Sequence, residues 1–100
     1  MSLENLTSKI QQKMAMAVGL SAKVKFDFGE KGCIFVDTTQ SPPIINNTNE
    51  EADTTLVCSM DTFQSILDGT QDPNIAFMMG KLKIKGSMGL AMKLNSILEE

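Results

Sequence analysis

The sequence predicts an α+β domain in which a mainly antiparallel five-stranded sheet is covered by helices on one face. The spacing of the apolar residues changes from a period of about 3.6 to a period of 2 after residue 22, which indicates a helix followed by strands. Lysines alternate with apolar residues in two separate runs, 23–28 and 81–85, so one sheet face is expected to be wet and the other covered. The 100 residues are expected to form a single domain, 1–100.

The first element is predicted to be an amphipathic helix over residues 2–18. Ser2 is suited to cap its start and Gly19 to end it. Its apolar residues recur at helical spacing and form one stripe, which comprises Leu3, Leu6, Ile10, Met14, Ala17 and Val18.

Strand patterns follow this helix. Residues 23–28 alternate between charged and apolar side chains, and a glycine-rich turn at 29–32 leads to a second apolar run at 33–36, which together predict a β-hairpin. Residues 44–45 are expected to form a short third strand. After a polar connection, residues 54–60 are predicted to form a fourth strand.

Two short helices are predicted next. Asp61 and Gln64 fit a capping box, which predicts a helix that begins at Asp61 and ends at Gly69. Asp72 followed by Pro73 combines an N-cap with a proline at the first helical position, and this predicts a second short helix.

The chain closes with a strand and a helix. Residues 81–85 alternate again, with the lysines on one face and Leu82 and Ile84 on the other. Ser87 is expected to cap the last helix. The apolar stripe of that helix comprises Leu90, Ala91, Leu94, Ile97 and Leu98.

The composition excludes many kinds of active site. The chain has no His, Arg, Tyr or Trp, so imidazole bases, His-ligated zinc, Ser-His-Asp triads and arginine phosphate clamps are excluded. A net charge of −3 argues against a nucleic-acid-binding domain. Cys33 and Cys58 each lie in a strand-like run without a nearby cation, which favours inert packing over redox chemistry. We therefore expect no catalysis, cofactor, metal or nucleic-acid partner.

One long motif resembles a known family. A Gly-Lys-Leu-Lys-Ile strand at 80–84 runs into a Gly-Ser-Met-Gly-Leu-Ala-Met-Lys-Leu helix at 86–94. It is preceded by Asp61-x-Phe63, Ile66-Leu67-x-Gly69 and Asp72-Pro73. This arrangement resembles the sterol carrier protein 2 family of nonspecific lipid-transfer domains, and the predicted first helix and hairpin extend the resemblance over nearly the whole chain.

The resemblance implies an apolar tunnel between sheet and helices that holds a fatty acid, a fatty acyl-CoA or a sterol. The lining residues it implies lie under and along the last helix, namely Met88, Gly89, Leu90, Met92, Leu94, Ile97 and Leu98. Periodicity adds Phe77, Leu82 and Ile84 to this lipid-binding set. Because arginine is absent, a lysine or a backbone amide would have to recognise any lipid headgroup.

The expected function is non-catalytic lipid binding and transfer. The alternative is a structural or interaction module of a larger lipid-metabolising enzyme with a vestigial cavity, and an enzyme built on a cysteine ranks last. Expected partners are the lipid, a membrane in transient contact, and a fused or associated enzyme.

We expect a soluble intracellular protein, cytoplasmic or peroxisomal, although the chain ends in Leu98-Glu99-Glu100 rather than in a peroxisomal targeting signal. The chain is also compatible with a domain excised from a longer protein.

Overall fold

Five strands and four α-helices are present in the computed structural model, which describes residues 2–15, 20–40 and 42–98. The elements are α1 (Leu3–Ala15), β1 (Lys23–Asp27), β2 (Cys33–Asp37), β3 (Ile44–Asn46), β4 (Thr54–Cys58), α2 (Met60–Asp68), α3 (Pro73–Met78), β5 (Leu82–Gly86) and α4 (Met88–Leu98). A 3-10 turn at Gly29–Lys31 joins β1 to β2. The α+β class and the hairpin are therefore confirmed. Gly19, Ala17 and Val18, which were assigned to the end of the first helix, lie outside the described residues.

The sheet is mixed, which corrects the expectation of a mainly antiparallel sheet. Its strand order is β3-β2-β1-β4-β5, and β1 pairs with β4 in parallel, with Val24 opposite Thr54. The other three pairings are antiparallel. The parallel pairing depends on the connection 47–53. Because β3 and β4 both run in the direction of β1, this connection must return along the length of a strand before β4 begins.

The two faces of the sheet differ as the alternation predicted. Val24 and Phe26 of β1 are fully buried on the helix-covered face, as are Leu56 of β4 and Leu82 of β5. The opposite face, here called the outer face, carries the strand lysines. Lysines 23, 81, 83 and 85 are exposed and Lys25 is half-buried. The helices therefore cover one face only.

The outer face is nevertheless partly covered near its centre. All five residues of β2 are buried, including Phe35, which is 4% exposed and lies opposite Lys25 in the strand register. The ammonium of Lys25 donates a 2.8 Å hydrogen bond to the side-chain oxygen of Asn49. The connection 47–53 therefore lies against the outer face at Lys25, and its Asn47 also donates to the backbone carbonyl of Cys33 in β2.

The helix starts follow local capping chemistry, with one correction. The Ser2 hydroxyl accepts from the backbone N–H of Asn5, as expected. The expected start at Asp61 is wrong: β4 ends at Cys58, and the hydroxyl of Ser59 accepts from the N–H of Thr62 at 3.0 Å. The strand predicted over 54–60 thus ends two residues early, because residues 59 and 60 are used to begin α2.

The buried apolar residues of the described ranges form a cluster between the helices and the sheet. The aromatic ring of Phe63 on α2 packs against Phe26 and Phe28, with ring centroids 4.8 and 5.3 Å apart. Helix α1 adds its buried stripe of Leu6, Ile10 and Met14. Burial of these apolar surfaces is the main favourable contribution to the folding free energy.

Candidate functional site

The candidate site is built around α4, which lies over β4 and β5. Gly86 ends β5 with φ +93°, and Ser87 then turns the chain into the helix, where its hydroxyl accepts from the N–H of Leu90 at 3.3 Å. Ala91, Leu94 and Leu98 recur at intervals of three and four residues and are almost completely buried. We call the apolar layer between this stripe and the sheet the α4 seam.

The ten residues predicted to bind lipid fall into three groups. Those buried in the α4 seam are Leu82, Leu94 and Leu98. Those partly buried at its margins and packed against the core are Ile84, Leu90 and Ile97. The exposed ones are Phe77, Met88, Gly89 and Met92. The structure thus brings six of the ten together, and lipid contact by any of them stays a prediction.

Two methionines form the exposed edge of α4. Met88 is 47% and Met92 is 62% exposed, and a separation of four residues places them on the same side of the helix. We call this pair the methionine flank. Its unbranched thioether side chains can change rotamer readily, so it is suited to contact apolar groups of varied shape.

A second exposed apolar surface lies on and just after α3. It consists of Ile75, Phe77, Met78 and Met79, and here it is called the α3 patch. Met78 is 83% exposed, whereas Ala76 on the same helix is fully buried. The sequence analysis included Phe77 in the site but missed the other three. Their signal was a helix of six residues with more apolar side chains than one buried face can accommodate.

Asn95 is a polar residue inside the buried arc of α4, and the sequence analysis also missed it. The residue is 6% exposed, and its buried Oδ1 has no hydrogen-bond partner within residues 2–15, 20–40 and 42–98. The signal was its spacing of four residues from Ala91, which places both on the buried side of the helix. A buried acceptor without a donor is energetically costly and uncommon in native proteins.

Three cavities are lined by the described residues around α1. The largest, about 510 Å³, lies between the starts of α1 and α2 and includes Leu3, Phe28 and Met60 in its wall. Cavities of about 430 and 290 Å³ both include Ala15, Pro42 and Pro43. None of these three extends beneath α4, so the tunnel that the family resemblance implies stays a prediction.

Three titratable groups of the described residues have shifted pKa values, and each shift has a local cause. Burial raises the pKa of the Cys58 thiol to about 12 and also raises that of Cys33, so both are protonated at neutral pH. The pKa of Asp37 is lowered because its carboxylate accepts hydrogen bonds from the hydroxyl and N–H of Thr39. In the described part of the chain, Cys, Asp and Glu form no group of three that could hold a metal ion.

In the part of the chain that the structure describes, no helix combines the length and the apolar composition needed to cross a bilayer.

Solved structures share this fold. The solution structure of palmitated sterol carrier protein 2-like 2 from Aedes aegypti matches with a TM-score of 0.75 and 18% identity, over 100% of this chain and 96% of that one. The solution structure of a sterol carrier protein domain 2 from Helicoverpa armigera matches with a TM-score of 0.63 and 26% identity, over 96% of this chain and 72% of that one.

Sequence relatives agree. Human sterol carrier protein 2 is 41% identical over 54 residues, which are 54% of this chain and 10% of that protein. Hydroxysteroid dehydrogenase-like protein 2 of Xenopus tropicalis is 41% identical over 71 residues, which are 69% of this chain and 17% of that protein. The chain thus spans a small part of these relatives. The profile of the SCP-2 sterol transfer family matches residues 3–99, and this chain belongs to that family.

Proposed function

We propose that this domain binds the apolar part of one lipid molecule in the α4 seam and transfers it between membranes without catalysing a reaction. The observation that carries the proposal is the continuity of α4: its buried stripe of Ala91, Leu94 and Leu98 adjoins the exposed Met88 and Met92. An acyl chain could therefore enter along the methionine flank and exchange contacts with side chains that already face an apolar layer. The palmitated state of the Aedes aegypti protein supports a fatty acyl ligand.

The energetics favour binding that is tight but exchangeable. Burial of one methylene group contributes about 0.8 kcal/mol, so a chain of about 15 methylenes has a gross driving force of about 12 kcal/mol before the costs of association. A bilayer offers the lipid a similar gain, so exchange between membrane and protein is close to neutral. Methylene contacts are not directional, and specificity for the chain itself is therefore low.

Entry of a lipid requires α4 to move, because Leu94 and Leu98 are at most 1% exposed. The helix is connected to the sheet through Gly86 and Ser87, and a rotation of the backbone after Ser87 would separate its stripe from β5. Hydrogen exchange tests this step. We expect the amides of α4 to exchange faster than those of β1 and β4, and to be protected when lipid is added. Equal protection of α4 and the central strands, with and without lipid, would contradict it.

Transient membrane contact is assigned to the α3 patch. Met78 and Met79 are 83% and 61% exposed, and Gly80 separates them from the exposed Lys81, which directly precedes β5. Apolar side chains beside basic ones suit a bilayer with anionic headgroups. This surface would bring the protein to the membrane from which it takes its ligand.

Native mass spectrometry of the purified protein tests lipid binding directly. We expect a species whose mass exceeds that of the chain by one lipid, either as purified or after addition of hexadecanoate. Acid denaturation should release the lipid, since the complex is noncovalent. A protein that remains free of lipid at saturating hexadecanoate would refute the proposal.

A second candidate function is that of a module in a larger enzyme. The observation that favours it is the similarity to 17% of a hydroxysteroid dehydrogenase-like protein. In that role the domain would present or localise a lipid substrate, or stabilise its partner. A domain that binds no lipid but raises the thermal stability of a fused dehydrogenase would favour this second function over transfer.

A further inference from the structure

We propose that Asn95 is a polar recognition residue of the α4 seam and that it selects lipids carrying a hydroxyl group. This inference rests on the proposed function. Asn95 is 6% exposed as a residue, and its buried Oδ1 accepts no hydrogen bond from residues 2–15, 20–40 and 42–98. A buried amide oxygen in that state is stabilised by any ligand that brings a donor to it.

The position of Asn95 connects this acceptor with the site. It follows Met92 by three residues and Met88 by seven, so it lies on the side of α4 that bears the methionine flank. It also follows the buried Ala91 by four residues. Asn95 therefore lies at the boundary between the exposed thioethers and the buried stripe, where a lipid entering along the flank would first meet the interior.

The chemistry of the acceptor determines the ligand class. A hydroxyl group can donate to Oδ1, whereas an ionised carboxylate and an ether have no proton to donate, so they could bond only to the Nδ2 of the same amide and would leave Oδ1 without a partner. A carboxylate would also lose hydration beside an acceptor, and the chain offers no arginine to compensate. Lys93, the nearest lysine in sequence, is exposed, and its position two residues before Asn95 turns it away from that side of the helix. The site is thus expected to favour a long-chain alcohol or another hydroxylated lipid.

The test compares two uncharged ligands of equal chain length, 1-hexadecanol and its methyl ether. Each displaces a fluorescent long-chain fatty acid from the wild-type protein and from Asn95→Leu, which replaces the amide with an apolar group of similar volume. We expect the wild type to prefer the alcohol by about fivefold to tenfold, the effect of one hydrogen bond made to a buried acceptor. Asn95→Leu should bind both ligands equally.

Matched variants keep the outcome interpretable. Ser96→Ala changes the exposed neighbour of Asn95 and should retain the preference for the alcohol. Asn95→Leu should unfold at a temperature equal to or above that of the wild type, because it removes a buried polar group without a partner. Asn95→Ala provides a second variant that should also lose the preference.

The outcomes separate the two claims. If the wild type binds both ligands equally, or if Asn95→Leu keeps the preference of the wild type, the role of Asn95 is refuted while lipid binding stands. If neither the ligands nor the fluorescent fatty acid bind to the wild type, the proposed function itself is refuted, and the role of Asn95 with it.

Discussion

Gly86 lies directly against the backbone of Asp53: a Cβ atom placed on Gly86 would be 2.5 Å from the Asp53 carbonyl oxygen. The same oxygen accepts a 3.0 Å hydrogen bond from the N–H of Ser87, the residue that caps α4. Asp53 in turn exchanges two hydrogen bonds with the backbone of Lys23, at 2.8 and 3.0 Å. The glycine therefore allows the entry to α4 to be fixed to the starts of both β4 and β1.

Gly86→Ala is expected to destabilise the domain by about 2–4 kcal/mol. The new methyl group would meet backbone that cannot move aside easily, and φ +93° is unfavourable for a residue with a Cβ. Gly89→Ala is the control, because its Cβ would have no neighbour closer than 4.0 Å and alanine raises helix propensity by about 0.5–1 kcal/mol. Urea unfolding measures both. Equal effects of the two changes would contradict this account of Gly86.

Met92→Arg is expected to weaken binding of a fluorescent fatty acid about tenfold or more and to leave the fold intact. Met92 is 62% exposed in the free protein, so the arginine is tolerated there, but a lipid on the methionine flank would have to desolvate its charge. Gln12→Arg on the exposed side of α1 adds the same charge elsewhere and should leave affinity unchanged. Unaltered affinity of Met92→Arg, with an unaltered circular dichroism spectrum, would remove Met92 from the site.

Met78→Asp is expected to weaken binding to vesicles that contain anionic lipid by about fivefold. The change replaces a side chain that is 83% exposed with a charge of the same sign as the headgroups. Ile44→Asp is the matched control, since Ile44 is 48% exposed on β3, the opposite edge of the sheet from β5. Vesicle flotation measures the difference. Equal losses in both variants would indicate a nonspecific effect of charge and contradict the assignment of the α3 patch.

The Cys58 thiol is expected to make stability fall as the pH rises above 9. Its pKa is about 12 in the folded protein and 9.0 in its ordinary state, so ionisation above pH 9 favours the unfolded chain, at up to about 1.4 kcal/mol per pH unit. Urea unfolding between pH 8 and 10.5 should show this loss in the wild type and in Cys33→Ala. The same slope in Cys58→Ala would contradict the prediction.

Local features of this fold could be predicted from the sequence, because residues close together along the chain decide them. The β1–β2 hairpin and the caps at Ser2, Asp72 and Ser87 are of this kind. The start of α2 was misplaced because Ser59 and Asp61 both suit an N-cap, and the end of β4 decides between them.

Features that depend on distant parts of the chain could not be predicted in this way. The parallel β1–β4 pairing joins segments 30 residues apart, Val24 and Thr54, and its direction depends on the path of the connection between them. The apolar run at 33–36 likewise did not show which of its side chains face away from the helices, where Phe35 is nevertheless buried. In the candidate site, the apolar stripe of α4 followed from periodicity, whereas Asn95 was passed over because a polar residue on an amphipathic helix is ordinarily assigned to its solvent side.

The path of residues 47–53 has a consequence for the order of folding. Two units each assemble from neighbouring segments: the β1–β2 hairpin, and the unit formed by β4, α2, α3 and β5. The parallel β1–β4 pairing between them forms only after this connection has crossed the sheet. Closing such a loop costs chain entropy before any contact between β1 and β4 is gained. Joining the two halves is therefore expected to be the slow kinetic step. Substitutions in the paired residues of β1 and β4 should slow refolding more than substitutions in the β1–β2 turn.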